Sequence, residues 1–115
     1  MQRPIIFFDI AGPDDEALRQ FYATVFDWQA DQTGQFSVSV ESPIDAAIRK
    51  DPAEKRIYIG VDDVTATLEQ IELCGGSVDA LRFEVPGVVV LGLFRDVAGN
   101  PMGLVEMDGE RLRIP

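Results

Sequence analysis

Histidine is missing from this 115-residue chain. Its absence removes the side chain that most readily moves protons near neutral pH, along with the commonest metal-binding imidazole. A Ser-His-Asp triad is impossible. Cysteine is nearly missing too. Cys74 stands alone, so no internal disulfide can form, and a reducing, cytoplasmic setting is expected. With no imidazole to activate it, Cys74 reads as a small buried apolar residue at a helix end rather than a nucleophile. Long apolar runs are lacking as well. Met1-Gln2-Arg3-Pro4 reaches the first apolar stretch at once, which leaves no room for a signal peptide or a membrane span. Positive charge is scarce: 10 Lys+Arg face 20 Asp+Glu, a formal net charge of -10. That field repels phosphate backbones and anionic headgroups, so nucleic acid and membrane surfaces are poor partners and neither is expected. The acids are scattered and chiefly keep the chain soluble.

What is present suits a globular protein. The chain is 46% hydrophobic and 26% charged, outside the disordered range. Its length fits one domain over 1–115, or two small fused modules sharing a core. A core of this size commonly gains further burial by pairing, which supports a homodimer.

Ile5 to Ile10 is an apolar run of β-formers and reads as a buried strand. Ala11-Gly12-Pro13 breaks it, and Asp14 or Asp15 then caps a helix. Ala17, Leu18, Phe21, Tyr22 and Val25 follow at helical spacing as one apolar face, closed by Phe26-Asp27-Trp28. After the Thr33-Gly34 turn, Phe36, Val38 and Val40 alternate with Ser37, Ser39 and Glu41, the period of a half-exposed strand that ends at Ser42-Pro43. Ala46-Ala47-Ile48-Arg49 is a weaker strand, and the polar stretch from Lys50 to Glu54 joins two halves.

The second half repeats the plan. Arg56 to Val61 is a strand, and Asp63 caps a helix that turns Val64, Leu68, Ile71 and Cys74 inward. Gly75-Gly76 suits a left-handed helix end. Strands follow at Val78 to Val85, Val88 to Phe94 and Met102 to Met107, with the turn Asp96-Val97-Ala98-Gly99-Asn100-Pro101 before the last. That turn has too few glycines to cradle a phosphate. The tail after Asp108 is polar and reads as loose. The plan is βαβββ twice, with modules over 4–50 and 55–108 and a period of about fifty residues. Such halves form an α+β protein, a curved mixed sheet around a cleft.

These residues also carry a family resemblance. Phe21-Tyr22 with Val25-Phe26-Asp27-Trp28 resembles the first-helix signature of the vicinal oxygen chelate superfamily, which includes glyoxalases, extradiol dioxygenases and bleomycin-resistance proteins. Ile59-Gly60-Val61-Asp62-Asp63-Val64, the paired Gly75-Gly76 and the hairpin Asp96 to Leu104 resemble its second-half motifs in the same order. Asp27 stands where the family pattern has glycine, and Val97 where it has proline.

The resemblance implies a divalent metal held by His and Glu from inner strands, open for two substrate oxygens. By their distances from the motifs, three of its ligand slots fall on Phe7, Arg56 and Gly103. The fourth lies near Ala46-Ala47. Phe7 and Gly103 offer no lone pair, and Arg56 is a permanent cation, so no metal or other cofactor is expected. A rescue would require carboxylates such as Asp9, Asp45 or Glu106 to gather.

By alternation Phe7 and Asp9 share one face, and so do Arg56, Tyr58 and Gly60. A small-molecule ligand would then meet Phe7, Asp9, Arg56, Tyr58 and Gly103. Asp9 and Arg56 either serve that ligand or pair with each other across the former metal position. The first expectation is a glyoxalase-like binding protein without the usual metal. The alternatives are a metal-independent isomerase or lyase, with Asp9 as general base and Arg56 or Tyr58 steadying an oxyanion, a metal-dependent lyase or dioxygenase, or a pure interaction module. Tyr22, Trp28, Met102 and Met107 are expected in packing.

Overall fold

The computed structural model describes residues 2–37 and 44–115. Val38, Ser39, Val40, Glu41, Ser42 and Pro43, which carry much of the expected alternating strand, lie outside the described residues. Among those described are two helices and eight strands with mixed pairing, an α+β fold. Contacts divide the chain into one unit of Ile6–Arg56 and another of Met1–Ile5 with Ile57–Pro115.

The first unit contains most of β1 (Ile5–Gly12), then α1 (Asp15–Phe26), β2 (Gln35–Phe36) and β3 (Asp45–Lys50). β3 lies between β1, which it pairs in parallel, and β2, which it pairs antiparallel. Helix α1 starts where the local chemistry says it should. The Asp14 carboxylate accepts the Ala17 N–H at 3.0 Å, satisfying one of the first-turn donors that a helix leaves open. It ends at Asp27, which adopts the left-handed conformation (φ 59°), with the Asp27 N–H donating to the Ala23 carbonyl at 3.0 Å.

Beneath α1 lies an aromatic core. Phe36, Ala46 and Ile48 are buried, and Phe8, Leu18, Tyr22, Trp28 and Ala30 pack on them. The Trp28 ring stacks between Tyr22 (centroids 4.8 Å apart) and Phe36 (4.7 Å), so Tyr22 and Trp28 are packing residues. The expected helix face is corrected here. Leu18 and Tyr22 do turn inward, but Ala17, Phe21 and Val25 are exposed, Phe21 by 55%. The apolar stripe is wider than the line along which α1 touches the aromatic rings, so its flank remains in solvent.

The second unit takes β4 (Glu54–Val61) from Ile57 onward. It continues with α2 (Val64–Leu73), β5 (Ser77–Val85), β6 (Val89–Arg95), β7 (Pro101–Asp108) and β8 (Arg111–Leu112). β4 pairs β7 in parallel, β7 pairs β6 antiparallel, and β6 pairs β5 antiparallel with two register shifts. Asp63 caps α2 through the Ala66 N–H at 2.9 Å. Val64 and Leu68 are fully buried against Val61, Phe94 and Leu104, with Ile59, Ile71, Val78 and Met102 around them. Gly92 makes this closeness possible: a Cβ there would lie 2.6 Å from a Val64 methyl. Met102 thus fills core, as expected.

Two expectations fail in this unit. Cys74 is exposed, because α2 stops at Leu73 and Cys74 serves as its terminal cap before the left-handed Gly75. The tail is also held rather than loose. β8 pairs β7, the Arg113 N–H donates to the Glu106 carbonyl at 3.0 Å, and the Gly87 N–H donates to the Pro115 carbonyl. The expected turn is present: the Asp96 carboxylate accepts the backbone N–H groups of Ala98 and Asn100 and the Asn100 side-chain amide. No described helix is long and apolar enough to cross a membrane.

Candidate functional site

Alternation along β1 sends Phe8 into the core under α1 and places Phe7 and Asp9 on the opposite face. The parallel register sets Asp9 beside Ala47 and Ala11 beside Arg49, so Arg49 reaches the same face. Asp9 is only 4% exposed, and its carboxylate meets the Arg49 Nε at 3.0 Å. The other Arg49 nitrogens reach Asp51 at 2.8 Å and the Glu54 carboxylate. The second Glu54 oxygen lies 3.3 Å from Arg56, which is 5% exposed. A short return from β3 into β4 makes this possible by bringing Glu54 back beside Arg49.

The result is a chain of charge, Asp9–Arg49–Glu54–Arg56, within the first unit. Asp9 and Arg56 were expected together, and both belong to it. Sequence reasoning missed the two links, Arg49 and Glu54. Burial works against ionised Glu54, yet the Arg49 and Arg56 guanidiniums outweigh it and hold its carboxyl below the ordinary value. Burial likewise opposes the Arg49 charge, and the Asp9, Glu54 and Asp51 carboxylates more than compensate. Groups held this firmly are stable as ions and available for charge-assisted hydrogen bonds.

In the second unit, Tyr58 and Gly103 are brought together. They are cross-strand partners on β4 and β7, and both are buried. The Tyr58 ring covers Gly103 so closely that a Cβ at position 103 would fall 2.3 Å from it. A ligating side chain therefore has no room at position 103. Phe7 has no lone pair and Arg56 repels a cation, so the residues at these three slots do not fit a divalent metal. Of the carboxylates that might have gathered instead, Asp9 is held by Arg49. Glu106 is held by Arg82 (two bonds of 3.0 Å), by Arg113 at 3.1 Å and by the Val64 N–H at 3.1 Å. Among the described residues, no three His, Cys, Asp or Glu side chains stand close enough to share an ion.

Sequence reasoning also missed the arrangement around Glu106. The Arg82 guanidinium, against the effect of burial and with help from the Val64 N–H, holds the Glu106 carboxyl below its ordinary value. Arg113 in the tail and Arg82 on β5 were visible in the sequence, but nothing local linked either to Glu106.

No protein-family model matches the chain, and no curated protein matches it. Solved structures do. A variant of Streptomyces coelicolor methylmalonyl-CoA epimerase in complex with 2-nitronate-propionyl-CoA aligns with TM-score 0.64 at 16% identity, covering 98% of this chain and 99% of that one. A hypothetical protein from Bacillus halodurans C-125 aligns with TM-score 0.62 at 12% identity over 98% and 100% of the two chains. A structure described as NAD-dependent benzaldehyde dehydrogenase from Legionella pneumophila aligns with TM-score 0.63 at 8% identity over 89% and 98%. At such identities the likeness speaks to architecture alone. The epimerase belongs to the superfamily whose motifs the sequence resembles, and its fold matches over 98% of this chain. The chain has the fold of the vicinal oxygen chelate superfamily.

Proposed function

We propose that this chain is a metal-independent binding protein built on the vicinal oxygen chelate fold, and that it takes a small polar organic molecule on the face carrying Phe7, Asp9 and Arg56. The supporting observation is the chain of charge that includes buried Asp9 and Arg56. Its guanidiniums suit an anionic or carbonyl oxygen and its carboxylates a donor, on the sheet face that also carries Phe7. A few placed polar groups against apolar surface are what a small-molecule site requires. Tyr58 contributes by filling the space over Gly103 and closing off the position that a metal ligand would need. A homodimer is part of the proposal, and light scattering at micromolar concentration should return twice the 12.7 kDa chain mass.

The test combines elemental analysis with thermal-shift measurements on chelator-dialysed protein, using acetate, succinate and acetamide as probes. At least one probe should raise Tm in the wild type and lose its effect in Arg56→Gln, while zinc, nickel and manganese salts leave Tm unchanged. A divalent ion retained at one per chain after dialysis would overturn the proposal.

The second reading is a metal-independent isomerase or lyase with Asp9 as general base. The burial of Asp9 favours it, and an epimerase shares the fold. The Arg49 guanidinium counts against it, because an ion-paired carboxylate is a weak proton acceptor. Turnover that disappears in Asp9→Asn would establish this reading over simple binding.

A further inference from the structure

The sheet of the second unit ends in an open edge. β5 is its outermost strand, and among the described residues it pairs β6 alone. An edge strand presents a row of backbone N–H and C=O groups able to take another strand. Here the pairable stretch is bounded on both sides. The register to β6 shifts between Ala80 and Phe83, and Pro86, which has no N–H to donate, follows the strand end at Val85. Between these limits apolar side chains stand in the open: Leu81 is 74% exposed and Phe83 38%. Arg82 and Glu84 flank Phe83 on the same side of the strand, with the Arg82 Nη1 at 3.6 Å from the Glu84 carboxylate. The Arg82 Nε and Nη2 are spent on Glu106 at 3.0 Å each, so Nη1 is the guanidinium nitrogen turned toward the edge pair.

We infer that this edge is the contact between two copies of the chain, paired antiparallel about a two-fold axis at Phe83. It rests on the homodimer proposed above and names its surface. The stretch Leu81-Arg82-Phe83-Glu84-Val85 is its own complement when reversed. About that axis Phe83 meets the partner's Phe83, Leu81 meets the partner's Val85, and Arg82 meets the partner's Glu84 once on each side. Cross-strand apolar pairs and opposite charges both favour a strand pairing. Moving the axis to Arg82 or to Glu84 sets like charges directly opposite, which disfavours it. The charge pattern matters because each copy carries a net -10 and the two repel at long range, so the attraction has to be local. A contact of this symmetry uses the edge of both copies and closes at two. So short a pairing belongs to the weak, concentration-dependent class.

The axis can be located by cross-linking, because Cys74 is the only cysteine and Cys74→Ser removes it. In that background Phe83→Cys places two thiols directly opposite, with Cβ atoms about 5 Å apart, where a small adjustment closes a disulfide. Leu81→Cys leaves its two thiols about 14 Å apart along the strands, out of reach. Mild oxidation of the full chain should give a covalent dimer with Phe83→Cys and about tenfold less or lower with Leu81→Cys. Light scattering over a micromolar concentration series supplies the second measurement. The exposed substitution Glu84→Lys sets cation against cation on both sides of the axis, and it should raise the dimer dissociation constant about tenfold or more with the far-UV spectrum unchanged. A dimeric wild type whose association survives Glu84→Lys undiminished, or equal cross-linking at the two cysteine positions, would overturn this surface and leave the homodimer standing. A wild type that stays at 12.7 kDa at every concentration would remove the homodimer and this surface together.

Discussion

The two units start from the same recipe and use it differently. Each has a strand, an aspartate cap and a helix laid on a sheet. In the second unit α2 sinks into a core of Val61, Phe94 and Leu104, with Val64 and Leu68 sealed from solvent and Gly92 cleared of any side chain to let them in. In the first unit α1 buries no residue fully and rests on a stack of rings, Tyr22 on Trp28 on Phe36. The opposite faces differ in the same spirit. Buried carboxylate in the second unit is used to hold elements together, through Glu106. In the first unit it runs along the sheet face opposite α1, from Asp9 to Arg56. The unit whose helix is sealed into its core is structural, and the unit whose helix buries no residue fully carries the proposed ligand face. Functional surfaces commonly sit where packing is least committed.

The sharpest way to test that comparison is to cut the same kind of side chain from each helix. Leu68→Ala should cost about 3 kcal/mol, because the methyl groups it removes leave a cavity the core cannot close. Val25→Ala on exposed α1 should cost under about 0.5 kcal/mol. Urea denaturation of both variants reads the difference, and equal losses would erase the distinction between the units. Gly92→Ala comes next, at about 2 kcal/mol, since the new methyl must push Val64 aside.

Glu106→Gln should cost about 2 kcal/mol, less than a fully enclosed ion pair because Arg82 and Arg113 are partly in water. The wild-type carboxyl is held below its ordinary 4.5. Its contribution is therefore fully present above that pH and is lost as the pH falls through the lower, folded value. The variant should show a flatter acid limb in a plot of Tm against pH. The smallest effect compares the caps: Asp63→Ala and Asp14→Ala should each cost about 1 kcal/mol. If the second unit is the more cooperative one, Asp63→Ala lowers the whole transition, whereas Asp14→Ala is seen first as fraying in amide exchange of α1.

Local chemistry was legible in the sequence. Asp14 and Asp63 as caps, Asp96 as the organiser of a turn, and Val64 and Leu68 as an inward pair all follow from residues a few positions apart, where stereochemistry leaves little choice. The fold followed too, because strand–cap–helix occurs twice. What could not be read were contacts set by register. Arg49 meets Asp9 only because β3 runs parallel to β1 at that offset, and Arg82 meets Glu106 across two strands. The exposure of Phe21 escaped for a related reason, since periodicity gives the direction of a stripe but not how much of it the sheet will cover. At the candidate site, Asp9 and Arg56 were visible as an acid and a base near former ligand slots, whereas the links between them lay in what looked like a joint.

The grip on Glu106 has a consequence for helix α2. Arg113, just after β8, is one of the hands on the carboxylate that also holds the Val64 N–H. Displacing that segment would leave the start of α2 tethered to an anion short of counter-charge. A disturbance outside the helix would then be felt as a softening of its first turn.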